Sequence, residues 1–407
     1  MLKSISILFL AIIMAACNST PEKKVMIILV DGVPADVLES VDTPILDQIA
    51  TQGGYTRAYQ GGGKDEYTQT PTISAPGYMN MITGVWGNKH NVWGNSVRNP
   101  NYNYWNIFRT VKTVNPEMTT AIFSSWEDNR TKLVGEGKAE AGNFMFDYSF
   151  DGFELDTVAF PHTADRSFMF NIDENVSKGT ADYVLTDAPN LSWVYLEFTD
   201  DMGHMYGDSP QMIEAVKGMD NQVGRIWAAI QQREREFNEE WMIVITTDHG
   251  RTESNGKGHG GQSERERTTW IVTNQNNLNK RFENNPPVVD VAASALRFLG
   301  IEAPEQIKEE MDGIPFIGDI SIMNAKAKKE GNELIVSWEV ADASGGVEIY
   351  QSSANNFAKG GKDEYSLLGK ADVKNGRFKT DFVFPVGTTK LLLKAPHNWT
   401  NVWVIVE

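Results

Sequence analysis

The hydrophobic pattern divides the chain in two. In the longer, amino-terminal part, short unbroken apolar runs alternate with stretches of helical period. Val25-Met26-Ile27-Ile28-Leu29-Val30 is one such run, closed by Asp31-Gly32; β-branched runs bounded by turn residues are the mark of strands buried on both faces, as in parallel sheets. Thr43-Pro44 opens a predicted helix through Ile45, Leu46 and Ile49 that stops at Gly53-Gly54. Further strands are predicted at Thr120 to Phe123, Trp193 to Phe198, Met242 to Ile245 and Thr268 to Val272. A long helix is predicted from Pro210 to Arg233, with Ser209 as cap and Met212, Val216, Met219, Val223, Ile226 and Ile230 on one core-facing stripe. Strand followed by helix predicts an α/β fold with a mostly parallel sheet flanked by helices. From about Gly61 to Asp165 the chain is rich in Gly, Asn and aromatics, including Trp86, Trp93, Trp105 and Trp126, with little periodicity. This stretch is expected to wall the site, with the tryptophans chiefly packing.

Near Asp319 the period changes from helical to alternating. Leu334, Val336, Trp338 and Val340 share one face, and later runs at Val347 to Ile349, Phe378 to Phe384, Leu391 to Leu393 and Val402 to Val406 are separated by turn residues. Short strands at that spacing predict a small antiparallel β-sandwich of immunoglobulin or fibronectin-III type over residues 319–407. The expected organisation is therefore a signal segment 1–16, a tether 17–24, an α/β domain 25–318 and the sandwich.

Composition sharpens this picture in two places. The 407 residues carry 41% hydrophobic and 22% charged side chains, a globular balance, and a formal net charge of −17. That charge argues against a nucleic-acid polymer as partner, since phosphate backbones select basic surfaces. It does not exclude a small anionic substrate where bound cations reverse the field locally. At the amino terminus, Lys3, an apolar core from Ile5 to Met14 and Ala15-Ala16 precede Cys17, the one cysteine in the sequence. This resembles a bacterial lipobox, so cleavage before Cys17, lipidation of its thiol and a membrane partner through that lipid are expected. Asn18, in place of a retention aspartate, points to the outer membrane. The sequence is silent on oligomeric state.

Candidate chemistry gathers at strand ends. Asp31 closes the first strand; Asp248 and His249 follow the Met242 run; Asp200 and His204 lie four apart; His259 sits in Gly258-His259-Gly260. Three carboxylates and three imidazoles, half of the six histidines in the chain, can make two metal sites of three protein ligands each. Two such metals can clamp the attacking and leaving oxygens of phosphoryl transfer. A nucleophile is offered by Ser74 in Pro71-Thr72-Ile73-Ser74-Ala75-Pro76, at a predicted helix start beside a cation. His90 and His162 receive no role and are expected at the surface, and His397 is expected to be structural.

In their order, Asp31-Gly32, Pro71 to Pro76, Thr83-Gly84, Asp200 to His204, Asp248-His249-Gly250 and Gly258-His259-Gly260 resemble the alkaline phosphatase superfamily, and within it the nucleotide pyrophosphatase/phosphodiesterase branch. The resemblance implies an alkaline-phosphatase-like fold and two divalent metal ions, zinc by preference. Asp200, His204 and His259 would hold one; Asp31, Asp248 and His249 would hold the other, which also contacts Ser74. Asn95, twenty-one residues after Ser74, falls where the family places a donor to a non-bridging phosphoryl oxygen. The implied reaction is attack by Ser74 on a small phosphodiester or pyrophosphate, with a phospho-serine intermediate. Two departures qualify this. The position after the nucleophile, often a base-stacking aromatic, is Ala75, and the arginine of formylglycine sulfatases is replaced by Tyr78. A phosphomonoesterase would need further positive charge, for which Arg130 and Lys132 are candidates, and phosphonate hydrolysis uses the same ligand set. A reading of another class, a non-catalytic glycan-binding surface lipoprotein, stands against the presence of all six ligands and Ser74.

Overall fold

The computed structural model describes residues 20–406. The expected signal segment and Cys17 lie outside the described residues. Seven strands form the central sheet: Glu22–Val30 (β1), Gly54–Tyr59 (β2), Thr120–Ser124 (β3), Tyr148–Phe150 (β4), Leu191–Leu196 (β5), Glu239–Thr246 (β6) and Thr268–Thr273 (β7). Their order is β2-β7-β6-β1-β5-β3-β4. β1 pairs in parallel with β5 and β6, β3 in parallel with β5 and β4, while β7 runs antiparallel to β6 and β2. The sheet is thus mostly parallel, as the apolar runs predict, with an antiparallel edge.

Alternation within β1 explains why it is apolar throughout. Val25, Ile27 and Leu29 enter a core shared with the helices Ser74–Thr83 and Asp290–Leu299. Met26, Ile28 and Val30 enter the core on the other face, against Ser167–Thr186 and Pro210–Glu236. Each such side chain contributes about 1.5–3 kcal/mol by leaving water. Ser209 caps the long helix through the N–H of Met212 at 3.2 Å.

The central sheet differs from expectation at the start of β1, at the end of β5 and in the presence of β2. β1 begins at Glu22, so residues 22–24 of the expected tether belong to the sheet, in register with Glu239 to Trp241; Lys24 is buried, and its Nζ donates to the Ala188 carbonyl at 2.7 Å. The strand predicted to reach Phe198 ends at Leu196, because the buried Asp173 carboxylate accepts the N–H groups of Glu197 and Phe198 at 3.1 and 2.8 Å and turns the chain into the helix Phe198–Tyr206. β2 has no counterpart in the sequence reading, since its side chains alternate at a polar edge.

The carboxyl-terminal strands are Ile322–Glu330 (β8), Glu333–Val340 (β9), Gly346–Ser352 (β10), Ser366–Asp372 (β11), Arg377–Asp381 (β12), Gly387–Lys394 (β13) and Trp399–Val406 (β14). They form two antiparallel sheets, β11-β10-β13-β14 and β12-β9-β8, sharing a core that includes Leu334, Val336, Trp338, Ile349, Leu391 and Val404. The predicted run from Phe378 to Phe384 is strand only to Asp381. This unit is bonded to the α/β part through buried charges. Lys89 donates to the Glu310 carbonyl, Asp312 and Asn401 at 2.7, 2.6 and 2.8 Å, and Lys390 meets Glu310 and, at 2.7 Å, Asp363. The Trp403 N–H donates to the Tyr67 hydroxyl at 2.9 Å, and the two rings stack.

Candidate active site

The six expected ligands come from four separate segments that converge at the carboxyl edge of the parallel strands, where α/β sheets carry their chemistry. Asp31 follows β1, Asp248 and His249 follow β6, and His259 arrives on the loop beyond. Asp200 and His204 lie one turn apart in the helix Phe198–Tyr206, hence on one face.

Each carboxylate has one oxygen anchored by the protein and one left facing its neighbours. Asp31 Oδ2 accepts the hydroxyls of Tyr78 and, at 2.7 Å, Tyr195, while its Oδ1 is buried with no hydrogen-bond partner. Asp248 Oδ1 accepts the Gly32 N–H at 3.1 Å, whereas its Oδ2, also without a hydrogen-bond partner, lies 3.1 Å from His249 Nε2. Asp200 Oδ1 is taken by Arg251, and Oδ2 lies 3.2 Å from His204 Nε2. The imidazoles follow the same rule. His249 Nδ1 donates to the Gly250 carbonyl at 2.9 Å and His259 Nδ1 to the Thr72 carbonyl at 3.0 Å. A carbonyl can only accept, so Nε2 of each neutral ring presents its lone pair.

The presented atoms form two groups, Asp31–Asp248–His249 and Asp200–His249–His259, each with ligand atoms within 4.8 Å of one another. His204 adjoins the second, with Nε2 at 3.1 Å from His259 Nε2. All six residues are therefore together. His249 differs from expectation in facing both groups, and its ring stacks on His259 with centroids 3.7 Å apart.

Electrostatics identify what such a cluster lacks. Burial, then the charges of Asp248 and Asp200, push the Asp31 carboxyl well above its usual range. Burial raises Asp248 to about 7 and, joined by His259, lowers His249. Burial opposes ionisation of Asp200 too, but the His204 hydrogen bond and the Arg251 charge hold it low. Three carboxylates in one buried pocket, two with an unpartnered oxygen, are costly unless a cation is present. Oxygen and imidazole donors fit a divalent metal in each group, provided that the single Nε2 lone pair of His249 serves one of them and His204 completes the other.

Ser74 is the first residue of the helix Ser74–Thr83, but the capping position is Ile73 and no side chain caps it. Its hydroxyl is thus not spent on the helix and lies 3.5 Å from His249 Nε2. Asn95 Oδ1 accepts the N–H of Ala75 at 3.0 Å, which seats the amide beside Ser74 with its NH2 end as the remaining donor. Ala75 is fully buried.

Other expectations fare differently. His90, expected at the surface, is fully buried; Nε2 contacts Asn80 Oδ1 at 2.8 Å, Nδ1 accepts the Val92 N–H at 3.0 Å, and burial lowers the ring to about 3. His162 is exposed, with Nε2 3.1 Å from the Glu154 carbonyl. Arg130 is held by Asp151, Glu136 and Glu127 and Lys132 by Asp128, so neither is a free cation for a phosphate. Of the four tryptophans, Trp86 is buried and Trp93 is 47% exposed. Arg251 and Tyr78 lie next to motif residues, the one signal the sequence offers for them, and Tyr195 has none.

A family model described as type I phosphodiesterase / nucleotide pyrophosphatase matches residues 25–339, a span that runs past residue 318 into β9. The chain is 24% identical over 286 residues to GPI ethanolamine phosphate transferase 1 of Saccharomyces cerevisiae, covering 66% of this chain and 29% of that protein. It is 27% identical over 262 residues to ectonucleotide pyrophosphatase/phosphodiesterase family member 7 of Mus musculus, covering 61% and 55%. The chain thus spans about half the length, or less, of these curated relatives. The crystal structure of Ps i-CgsB in complex with k-i-k-neocarrahexaose has a similar fold, with a TM-score of 0.50 at 14% identity over 79% of this chain and 82% of that one.

Proposed function

Since the chain belongs to the type I phosphodiesterase / nucleotide pyrophosphatase family, we propose that it is a two-zinc phosphoesterase acting on small phosphodiester or pyrophosphate substrates through Ser74. The observation that carries this reading is the convergence, beside the Ser74 hydroxyl, of six ligand residues, five of them with an inner atom anchored and an outer atom presented. The bound metals supply positive charge that acidifies nearby hydroxyls and neutralises the phosphoryl oxygens.

The protein's own groups perform the rest. Ser74 Oγ forms the new bond to phosphorus in line with the bond that breaks, and the leaving group departs with the electron pair and takes up a proton. Water then attacks the phospho-serine: its oxygen bonds to phosphorus, the bond from phosphorus to Ser74 Oγ breaks with its electron pair going to Oγ, and Oγ takes up the proton that the water releases. The NH2 of Asn95 is placed to donate to a non-bridging oxygen as charge develops there. Tyr78 and Tyr195 keep Asp31 oriented throughout.

Diesters are favoured over monoesters because the extra anionic oxygen of a monoester would find Arg130 and Lys132 already paired. The absence of an aromatic after Ser74, with Ala75 buried, supports a leaving group other than a stacked nucleobase. We further place the protein at the cell envelope, lipid-anchored through Cys17 and in the outer membrane, on the strength of the amino-terminal sequence. Among the described residues, no helix is long and apolar enough to cross a membrane.

The test is hydrolysis of paired chromogenic monoester and diester substrates by zinc-loaded protein, beside Ser74→Ala and a chelated control. Diester preference with both controls inactive is expected. Monoester preference would move the protein to the phosphatase side, and activity surviving Ser74→Ala would remove the covalent mechanism.

A further inference from the structure

Arg251 follows Asp248-His249-Gly250 directly, and it is 1% exposed. Its guanidinium reaches three segments. Nε donates to the Gly32 carbonyl at 2.9 Å; Nη2 donates to the Asp200 carbonyl at 2.9 Å and to Asp200 Oδ1; Nη1 reaches the Lys257 carbonyl at 3.4 Å. Gly32 adjoins Asp31, and Lys257 lies two residues before His259. One planar fork therefore joins the loops that carry both ligand groups, a task the point charge of a lysine cannot repeat.

The surroundings are cut to admit it. A Cβ at Gly203, within the helix that carries Asp200 and His204, would collide with the guanidinium carbon. One at Gly32, whose φ is +63°, would meet Nη2 and Asp200 Oδ1. By contrast, the inner oxygens of Asp31 and Asp248 are held by two tyrosines and a backbone N–H, not by Arg251.

We infer that Arg251 is a positioning residue: it holds Asp200 to a single outward-facing oxygen and fixes the second ligand group against the first, so that the Asp200–His204–His259 metal depends on it while the Asp31–Asp248–His249 metal does not. This rests on the two-metal reading above. Its positive charge also opposes a bound dication, so the two effects differ in sign. Ordering dominates, since loss of an outer partner of a metal ligand typically weakens binding about 10- to 100-fold.

Stepwise zinc affinity of the full chain, measured against a chromophoric chelator, decides the matter. Wild-type protein should bind two zinc ions. Arg251→Met and Arg251→Lys should each keep one at wild-type affinity and bind the other about 10- to 100-fold more weakly. Gly203→Ala removes no ligand and adds a helix-favouring residue, yet should show the same split by displacing the fork. The double variant Gly203→Ala/Arg251→Met, in which the collision is relieved, should match Arg251→Met alone and guards against a folding defect. Unchanged binding of two ions in the variants would overturn the inference, as would tighter binding in Arg251→Met or full retention in Arg251→Lys. Fewer than two ions on wild-type protein would instead sink the two-metal reading itself.

Discussion

Tyr78 and Tyr195, one from the nucleophile helix and one from β5, donate to the same oxygen of Asp31, the Oδ2 that points away from His249. Their rings lie 5.1 Å apart, so each hydroxyl is held by the packing of the other. Two donors on one oxygen leave the carboxylate a single way to face the cluster. Replacing either tyrosine by phenylalanine should loosen that orientation and weaken metal binding at the Asp31 group about 10-fold, and replacing both should approach 100-fold. Zinc competition titrations read this directly, and wild-type affinity in the double variant would refute the role.

Ser74→Ala should lower kcat/KM by about a thousandfold or more while two metals remain bound, because all six ligands are untouched. Metal analysis run beside the kinetics separates loss of the nucleophile from loss of the site.

Asn95→Ala removes the acceptor for the Ala75 N–H and, on the proposed mechanism, a donor to the phosphoryl group. A fall of about 10²–10³ in kcat, with a smaller change in KM, is expected for a group that acts on developing charge. A change confined to KM would assign Asn95 to ground-state binding.

How much of this was legible beforehand follows from the reach of each signal. β1 and β6 announce themselves because a strand buried on both faces needs apolar residues at every position, and the ligands sit where those runs stop. Asp200 and His204 show as a helical pair. The groups that orient the ligands do not show, because their meaning arises only on folding: Tyr195 lies 164 positions from Asp31, and Arg251 lies 219 from Gly32. His90 misleads for a related reason. A histidine with no assigned role reads as a surface residue, yet here a chain of side-chain bonds from Gln60 through Asn80 to His90 lets polar groups be buried.

On the two-metal reading, chelation should destabilise the fold, since each metal would bind the folded chain and bridge segments distant in sequence. At a free zinc concentration a thousand times Kd, each site contributes about 4 kcal/mol. Thermal melts at stepped chelator concentrations should therefore fall in two stages if the two groups differ in affinity, and a melting temperature indifferent to chelator would contradict a metal at either.

Acid sensitivity should trace in part to His90. Its folded value, about 3, lies below the unfolded 6.5, so the folded state keeps the ring neutral while the unfolded state takes up a proton. Its contribution is complete above pH 6.5 and is lost as pH falls through that window towards 3. His90→Gln, which retains an amide for Asn80, should flatten the decline in urea midpoint between neutral pH and about pH 4. An identical decline in the variant would place the sensitivity elsewhere.

The hydrogen bond from the Trp403 N–H to the Tyr67 hydroxyl joins residues 336 positions apart. Tyr67 sits on the Gly-rich turn that leads directly into Pro71 and Ser74. Trp403 lies in β14, after all six candidate ligands and Ser74 in the chain. The turn that leads to Ser74 therefore stays without its outer brace until β14 has folded. A chain that stops short of β14 keeps all six candidate ligands and Ser74, but loses the contact that braces the turn before the serine.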